Sequence, residues 1–192
     1  MAKKIYILMG NPDKEDTMSS AVADTYEQAA KEAGHEVRRT NLGDLQFDPI
    51  LHKGYKTIQQ LEPDLLKVQE DMKWADHFVL IYPLWWAGMP ALLKGMWDRM
   101  FIPGFAFHMH KNHLGWDKLL KGKTARVIIL SQNWPLVERI LFGDFTNEVS
   151  RAILGFAGYK VKLSEFGHIE KMPDDKKTRC LGKIAALGRD AK

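Results

Sequence analysis

Apolar runs of strand length alternate along the chain with segments whose apolar positions recur at helical spacing. Three runs, 3–9, 77–82 and 125–130, are almost continuously apolar, which is typical of strands covered on both faces of a parallel sheet. Segments 35–42 and 159–167 instead alternate between apolar and polar residues. We expect them to be strands as well, and the last one to lie at an edge of the sheet.

Helices are expected between and after these strands, because the intervening segments carry helical periodicity and helix-terminating residues. The predicted helices are 17–34, 63–75, 89–101, most of 136–157 and about 174–188. Strand and helix alternate five times, which predicts an α/β fold: a doubly wound, five-stranded parallel sheet with helices on both faces. We see no linker or internal repeat, so we predict a single domain over residues 1–192.

The amino-acid composition limits the class of protein and the compartment in which we expect it. Hydrophobic residues make up 45% and charged residues 27% of the 192, as in ordinary globular domains. Cys180 is the single cysteine, which excludes an internal disulfide and favours a reducing compartment. The apolar run at the N-terminus is too short for a signal peptide or a membrane span, so we expect a cytoplasmic protein without stable membrane insertion.

The net charge of +4 raises the question of a nucleic-acid partner. From Lys171 onward there are seven basic residues and three aspartates. Such a run fits either a nucleic-acid patch or the solvated face of a C-terminal helix. No nucleic-acid-binding motif accompanies it, so we interpret it as a solvated helix and expect no nucleic-acid partner.

Ligands of doubly wound sheets bind beyond the carboxyl ends of the strands, near the point where the strand order reverses. In this chain the loops at 10–19, 83–90 and 131–136 should therefore form one site. The first places Thr17, Ser19 and Ser20 at a helix start, where free N–H groups and hydroxyls favour an anion. The alternative is that Asp16 or Thr17 only caps the helix.

The second loop holds two adjacent tryptophans, Trp85 and Trp86, before a turn shaped by Gly88 and Pro90. Neighbouring side chains of an extended segment point in opposite directions, so one core cannot easily take both indoles. A flat ligand such as the isoalloxazine of a flavin is one partner for them, and a second subunit is another. Burial in the core stays open as the third reading.

The third loop follows the strand at 125–130 with four residues suited to a ring system: Ser131, Gln132, Asn133 and Trp134. The three polar side chains are candidate donors to the pyrimidine edge of a flavin. Taken alone, the same residues form an ordinary strand-to-helix turn.

Residues 83–107, PLWWAGMPALLKGMWDRMFIPGFAF, resemble a known signature. It is the Pro-Leu-x-Trp-x-x-x-Pro-Ala-x-Leu-Lys-Gly-x-x-Asp/Glu-Arg-x-Phe pattern of the NAD(P)H:quinone oxidoreductase family, which includes the modulator of drug activity B proteins. Weaker similarity covers most of the remaining chain. The resemblance implies a flavodoxin-like fold, FAD or FMN as cofactor, and a homodimer.

The resemblance also assigns roles by position. Flavin phosphate would lie against Asn11, Thr17, Met18 and Ser19. The segment along the isoalloxazine would be Pro83, Leu84, Trp85, Trp86 and Ala87. Trp86 would also wall the pocket for nicotinamide and quinone, together with Phe107 and Met109.

The third loop departs from the family pattern. Well-known members have Thr-Gly-Gly here, followed by a Tyr and a His that manage charge on the reduced flavin, whereas no Tyr or His lies between Ser131 and Gly158. The loop is closer to the Asp-Thr-Pro-x-Trp of a bacterial branch. The catalytic residues therefore stay unknown. His108, His110 and His113 could supply a proton, although surface positions in a long loop are the simpler interpretation.

The implied activity is hydride transfer from NADH or NADPH to a flavin, then transfer of two electrons to a quinone-like acceptor by a ping-pong mechanism. FAD is favoured over FMN, since segment 44–62 and Pro63 would lie near the pyrophosphate. The loop at 102–116 would give contacts to the partner of the homodimer. Alternatives are an electron-carrier flavodoxin, a flavin-binding regulatory subunit of a transporter, and a relative that has lost flavin.

Overall fold

The computed structural model describes residues 1–111, 114–168 and 172–192. Its strands are β1 Lys4–Met9, β2 Glu36–Asn41, β3 His77–Pro83, β4 Phe107–Met109, β5 Trp116–Lys118, β6 Thr124–Leu130 and β7 Lys160–Phe166. Its α-helices are α1 Met18–Glu32, α2 Pro63–Trp74, α3 Ala91–Met100, α4 Pro135–Phe142 and α5 Asp174–Asp190. A π-helix spans Glu148–Gly155, and short 3₁₀ turns lie at Leu42–Asp44 and Gly54–Lys56.

Within these residues, five parallel strands form the main sheet in the order β2-β1-β3-β6-β7. This is a doubly wound order: the side of the sheet on which successive strands are added changes at the boundary between β1 and β3. The predicted strands and the edge position of the last strand are confirmed. Met9 pairs with Ile81, and Pro83 pairs with Leu130, so the central strands end side by side.

The sheet divides the core into two layers because successive side chains of a strand point to opposite faces. Ile5, Ile7 and Met9 pack with α1 and α5 on one face. Tyr6 and Leu8 face the layer formed by α2, α3 and the π-helix. The prediction of helices on both faces is confirmed, and the continuous apolar runs are explained by burial on two sides.

The prediction that most of 136–157 is helical is confirmed, and the structure divides this stretch into two helices. The helix α4 ends at Gly143, which has a φ of +81°. Helical structure resumes only after Asp144, whose carboxylate accepts hydrogen bonds from the N–H and hydroxyl of Thr146. The second half is a π-helix that ends at Gly155, where a Cβ would lie 2.6 Å from the carbonyl oxygen of Ser150, five residues earlier.

The long loop expected between the third and fourth strands of the sheet contains a short β-hairpin. The strands β4 and β5 pair in antiparallel fashion, with Phe107 opposite Lys118 and Met109 opposite Trp116. Three-residue strands are too short to show a period in the sequence. The indole of Trp116 stacks on Phe156 and donates a hydrogen bond to its carbonyl, so the hairpin is fixed to the body of the fold.

Segment 48–62 is held against α3 by two signature residues. The buried Arg99 guanidinium contacts both carboxylate oxygens of Glu62 at 2.9 and 3.1 Å, and donates to the carbonyls of Gln60 and Asp48. A Cβ on Gly95 would lie 2.6 Å from the carbonyl oxygen of Pro49, so glycine permits this close approach. In this chain, these two positions serve to hold the segment in place.

The described ranges, with gaps at 112–113 and 169–171, contain no helix that combines the length and apolar composition needed to cross a bilayer. In the same ranges, no three His, Cys, Asp or Glu side chains are grouped closely enough to hold a metal ion.

Candidate active site

The three loops singled out from the sequence lie at one edge of the sheet. The N–H of Gly10 donates to the carbonyl of Ile81 at 2.6 Å, and the N–H of Leu84 donates to that of Leu130 at 2.7 Å. These bonds extend the pairing of β1 with β3 and of β3 with β6 by one residue. The loops therefore leave neighbouring strands at the same level, and a ligand at this edge can contact all of them.

The first loop ends in a capped helix. The N–H of Ser20 donates to the Thr17 hydroxyl at 3.1 Å, and the N–H of Thr17 donates to the Ser20 hydroxyl at 3.0 Å. Thr17 is thus the N-cap of α1, as the alternative reading of the sequence proposed. In the part of the chain that the structure describes, no acceptor faces the N–H groups of Met18 and Ser19. They remain available to an anion at the positive end of the helix dipole.

Side chains around this helix start bring both signs of charge. A cavity of about 400 Å³ opens beside Thr17 and is reached by Lys177 of α5 and by the carboxylates of Asp16 and Asp24. Asp24 forms an ion pair with Arg39, which reduces its repulsion of an anion. Asn11 is buried; its side-chain oxygen accepts the N–H of Asp13, and its amide nitrogen lies 3.5 Å from the Ser19 hydroxyl.

The second loop is a strained two-residue turn. Trp85 and Gly88 exchange two backbone hydrogen bonds of 2.9 Å, which closes a tight turn over Trp86 and Ala87. Both turn residues have positive φ, 51° and 57°, a conformation that favours Gly or Asn. The Trp86 side chain is fully exposed and that of Trp85 about half exposed, so neither indole is buried in the core.

An exposed aromatic ring on a strained turn points to function, because the exposed ring gains no packing energy among the described residues that could offset the strain. An open flat surface formed by Trp86 fits a planar ligand ring, and the two unbonded N–H groups of α1 fit a phosphate. The residues present at this edge are therefore compatible with a flavin.

The third loop satisfies much of its own hydrogen bonding. The buried Ser131 hydroxyl donates to the carbonyl of Asn133 at 2.7 Å, and the Asn133 amide donates to Glu138 at 3.3 Å. The Ser131 hydroxyl proton is thus engaged in this loop. Gln132 is exposed, and the ring of Trp134 meets His168 edge-on with centroids 5.3 Å apart.

Glu138 is a residue that sequence reasoning missed. It belongs to an apolar helix, where a lone glutamate is expected to face water, yet it is buried and its second carboxylate oxygen has no partner among the described residues. Its neighbour Glu165 has a raised pKa, mainly because of burial and also because of Asp144 and Glu138, while Arg139 acts in the opposite direction. The contact of His168 with Trp134 places this histidine beside the candidate site.

The two residues assigned to the acceptor pocket besides Trp86 lie on the β4–β5 hairpin. Phe107 meets Phe156 edge-on at 5.1 Å and lines a cavity of about 720 Å³ together with Trp97 and Phe101. Among the described residues, none of the three loops contributes to the lining of this cavity. Phe107 and Trp86 therefore line separate surfaces of one chain.

The remaining hairpin residues are peripheral in a single copy. Met109 and His108 are exposed. His110 lies 3.3 Å from the Asp117 carboxylate, in a local pair across the hairpin. His113, the third histidine considered as a proton donor, lies outside the described residues.

Comparison with known proteins agrees with this architecture. The model of the family described as "Flavodoxin-like fold" matches residues 3–178. A Haemophilus influenzae protein named as an uncharacterised NAD(P)H oxidoreductase is 28% identical over 193 residues, covering 97% of this chain and 94% of the relative. The crystal structure of Smu.1420 from Streptococcus mutans has a TM-score of 0.81 at 30% identity, over 97% of this chain and 99% of that one.

An NAD(P)H:quinone oxidoreductase from Methanothermobacter marburgensis has a TM-score of 0.80 over the full length of both chains, and at 21% identity this likeness shows the fold. The resemblance noted in the sequence is consistent with these relatives. The strand order is doubly wound, the family model matches most of the chain, and a solved relative is 30% identical over almost the full length of both chains. We conclude that the chain belongs to the flavodoxin-like fold family.

Proposed function

We propose that this protein is a flavin-dependent NAD(P)H oxidoreductase that passes two electrons to a quinone or a similar acceptor. The observation that carries the proposal is the strained turn that exposes Trp86 at the carboxyl edge of the sheet. A bound flavin would accept hydride from NAD(P)H and deliver two electrons to the acceptor. A full-length relative named as an NAD(P)H oxidoreductase supports the choice of donor.

The chain's own residues would bind and orient these groups. The N–H groups of Met18 and Ser19 would hold a phosphate, and Trp85 and Trp86 would wall the ring system. Asn133 would meet the polar edge of the ring and is itself oriented by Glu138. Since donor and acceptor would use the same open face beside Trp86, they would bind by turns, which gives ping-pong kinetics.

We favour FAD over FMN as the bound flavin. The turn at Leu42–Asp44 packs directly on the first loop, where Lys14 pairs with Asp44 and the carbonyl of Pro12 approaches Gly43. Segment 44–62 is therefore anchored at both ends, by this contact and by Arg99. We infer that this segment would contact the part of FAD that FMN lacks.

The proposed form is a cytoplasmic homodimer. Trp86 is fully exposed in the described part of one chain, and Phe107 lies on a different surface. A second copy that brings its hairpin to the Trp86 loop would complete the pocket that one chain leaves open. The acceptor would then contact both copies.

Titration of the purified protein with FAD and with FMN tests cofactor binding, and we expect quenching of flavin fluorescence at micromolar protein. Oxidation of NADH or NADPH with menadione as acceptor tests turnover, with parallel double-reciprocal plots as the mark of a ping-pong mechanism. In this assay Trp86→Ala should lower kcat/KM several-fold to about tenfold, the effect of a lost stacking wall worth about 0.5–1.5 kcal/mol. Absence of flavin binding would falsify the proposal, while binding without turnover would indicate an electron carrier.

A further inference from the structure

Glu138 is a buried carboxyl group at the third loop, and one of its oxygens, Oε2, has no hydrogen-bond partner among the described residues. The residue is only 7% exposed. Its other carboxylate oxygen accepts the amide N–H of Asn133 at 3.3 Å. Buried polar atoms in folded proteins are nearly always hydrogen-bonded, so an exception of this kind calls for an explanation.

The charge of this carboxylate is not balanced by a neighbouring cation. Within the described ranges, no ion pair includes Glu138. The next residue of the helix, Arg139, binds the Glu165 carboxylate at 2.6 Å and is 40% exposed. A carboxylate that leaves water without a counter-charge is stabilised by a proton or by a cation. The Oε2 atom is the position of Glu138 at which a proton would have this effect.

The surroundings of Glu138 are already rich in negative charge. Burial raises the pKa of Glu165, Arg139 acts against this shift, and the carboxylates of Asp144 and Glu138 add to it. Asp144 itself lies 3.9 Å from the Arg139 guanidinium. Three carboxyl groups and one guanidinium therefore lie together beside the third loop, where further negative charge is unfavourable.

Asn133 connects the buried carboxyl group with the candidate site. It is exposed on the third loop, and one hydrogen bond joins it to Glu138. The sequence from Ser131 to Gly158 contains neither Tyr nor His. Of the two titratable residues in 131–142, Glu138 and Arg139, only Glu138 is buried. Charge that enters the site at this loop therefore has one buried group nearby that can take up a proton.

We propose that Glu138 is the charge-compensating residue of the reaction: Oε2 binds a proton when a hydride enters the site and loses it when the hydride leaves. This inference rests on the proposed function and adds to it the residue that manages charge. A hydride carries one negative charge, and a proton on Glu138 restores the charge that the site had before. Glu138 acts through Asn133 and the local field, without touching the reacting atoms.

Protons and electrons balance over one cycle. In the first half, a C–H bond of NAD(P)H breaks, NAD(P)⁺ leaves, and an O–H bond forms on Glu138 with a proton from water. In the second half, a quinone receives the hydride equivalent and one proton from water, forms two O–H bonds and leaves as the hydroquinone. Glu138 then returns its proton to water. The net reaction consumes NAD(P)H, a quinone and one proton.

Two neighbouring groups fit this role less well. Glu165 already has a counter-charge in Arg139. His168 meets Trp134 edge-on and is exposed, so water screens its charge from the site. Glu138 differs from both because it combines burial with an unpartnered oxygen among the described residues.

The first test counts protons during reduction. Protein loaded with flavin is mixed, without oxygen, with one equivalent of NADH or NADPH in a weak buffer that contains a pH indicator. The wild-type protein should take up about one proton per bound flavin, because new negative charge beside a buried carboxylate favours its neutral form.

Variants assign this proton to a residue. Glu138→Gln removes the titrating group but keeps an oxygen for the Asn133 amide, so it should abolish the uptake. Glu138→Asp keeps a carboxyl group and should retain it. The matched controls Glu165→Gln and His168→Gln should take up protons as the wild type does. Uptake that persists in Glu138→Gln, or that is lost only in a control, overturns the inference.

The pH dependence of the midpoint potential gives a second readout. The potential should fall with pH about twice as steeply in the wild type as in Glu138→Gln, since one proton fewer accompanies the two electrons in the variant. Equal slopes in the two proteins would contradict the assignment.

Infrared difference spectroscopy tests the same point without a substitution. Reduction of wild-type protein labelled with ¹³C in its glutamate carboxyl groups should produce the C=O stretch of a protonated glutamic acid, shifted by the label. The band should remain in Glu165→Gln. A spectrum without a label-sensitive band overturns the inference, whatever the folding of the variants.

Failure of this inference is distinguishable from failure of the proposed function. Flavin that binds and is reduced by NAD(P)H without proton uptake at Glu138 leaves the proposed function standing and removes the role of Glu138. Wild-type protein that binds no flavin, or whose flavin NAD(P)H does not reduce, overturns both.

Discussion

At the scale of single residues, the candidate site contains side chains in conformations that they do not favour. Trp86 and Ala87 both have positive φ, and each costs about 1–2 kcal/mol relative to an ordinary conformation. Two backbone bonds between Trp85 and Gly88 hold the turn. Because the Trp86 side chain is fully exposed among the described residues, it gains no packing energy there that could offset this cost.

Trp86→Gly should therefore leave the protein at least as stable as the wild type while reducing turnover. Glycine relieves about 1–2 kcal/mol of strain and adds roughly 0.5–1 kcal/mol of unfolded-chain entropy. Urea denaturation measures the first effect and menadione reduction the second. Trp86→Ala serves as control, since it removes the indole but keeps the strain. A loss of more than about 1 kcal/mol in Trp86→Gly would show that the indole packs against the protein.

Thr17 combines a helix cap with the proposed phosphate site, and two substitutions separate these roles. Thr17→Val removes the hydroxyl and should cost about 1 kcal/mol of stability through the lost cap, together with weaker flavin retention. Thr17→Ser keeps the hydroxyl and should preserve both properties. Flavin dissociation constants measured well below the melting temperature check this. If Thr17→Val retains flavin as tightly as Thr17→Ser, the phosphate does not lie at this helix start.

At the scale of elements, one buried arginine determines how segment 48–62 lies on α3. Arg99 is fully buried and binds Glu62 and two backbone carbonyls. Burial acts to raise the pKa of Glu62, but the hydrogen bonds from Arg99 and from the N–H of Asp48 outweigh it, and the pKa lies below its usual value. Glu62 is therefore ionised throughout the neutral range and compensates the buried charge.

Glu62→Gln should lower the free energy of unfolding by about 3 kcal/mol at pH 7, because it leaves the buried guanidinium without its counter-charge. The stability given by a lowered carboxylate pKa is present above the unfolded value of 4.5 and is lost as pH falls through the folded value. The difference between variant and wild type should accordingly shrink below pH 4.5. Urea melts across that range measure it.

Asp98→Asn is the matched control for this prediction. Its carboxylate pairs with Lys94 on the exposed side of the same helix. An exposed pair of this kind contributes at most about 1 kcal/mol. An equal loss in both variants would contradict the special role of the buried pair.

At the scale of the whole molecule, the two edges of the sheet differ in character. The carboxyl edge carries the strained turn and the exposed indoles, whereas at the opposite edge the first residue of β3 is buried. His77 begins β3 there, is buried, and lies 2.7 Å from the Thr124 hydroxyl through Nδ1. Burial, with smaller effects of Lys3 and Arg126, lowers the pKa of His77 to about 3.

This histidine should make global stability depend on pH. The unfolded chain binds a proton near pH 6.5 and the folded chain only near pH 3, so the unfolded state holds more protons between these values. Stability is then complete above pH 6.5 and falls by up to about 1.4 kcal/mol per pH unit below it. His77→Asn should flatten this slope. Identical slopes in wild type and His77→Asn would contradict the prediction.

The sequence by itself determined the strands of the sheet, its doubly wound parallel architecture and the edge that carries the candidate site. The reason is physical: periodicity of apolar residues reports local geometry, and parallel strands gather their carboxyl ends at one edge. The residues of the three loops could be named for the same reason. Gly143 could have signalled the end of α4, but the neighbouring helical periodicity on both sides concealed it.

Only the tertiary structure decided which of those residues meet and which remain exposed. Whether Trp86 lies in the core or in solvent depends on a turn closed by Trp85 and Gly88, and the separation of Phe107 from Trp86 depends on where the hairpin packs. The inward position of Glu138 reverses what its apolar helix indicates locally. These features arise from contacts between residues distant along the chain, whose free energies exceed local preference and leave no periodic trace in the sequence.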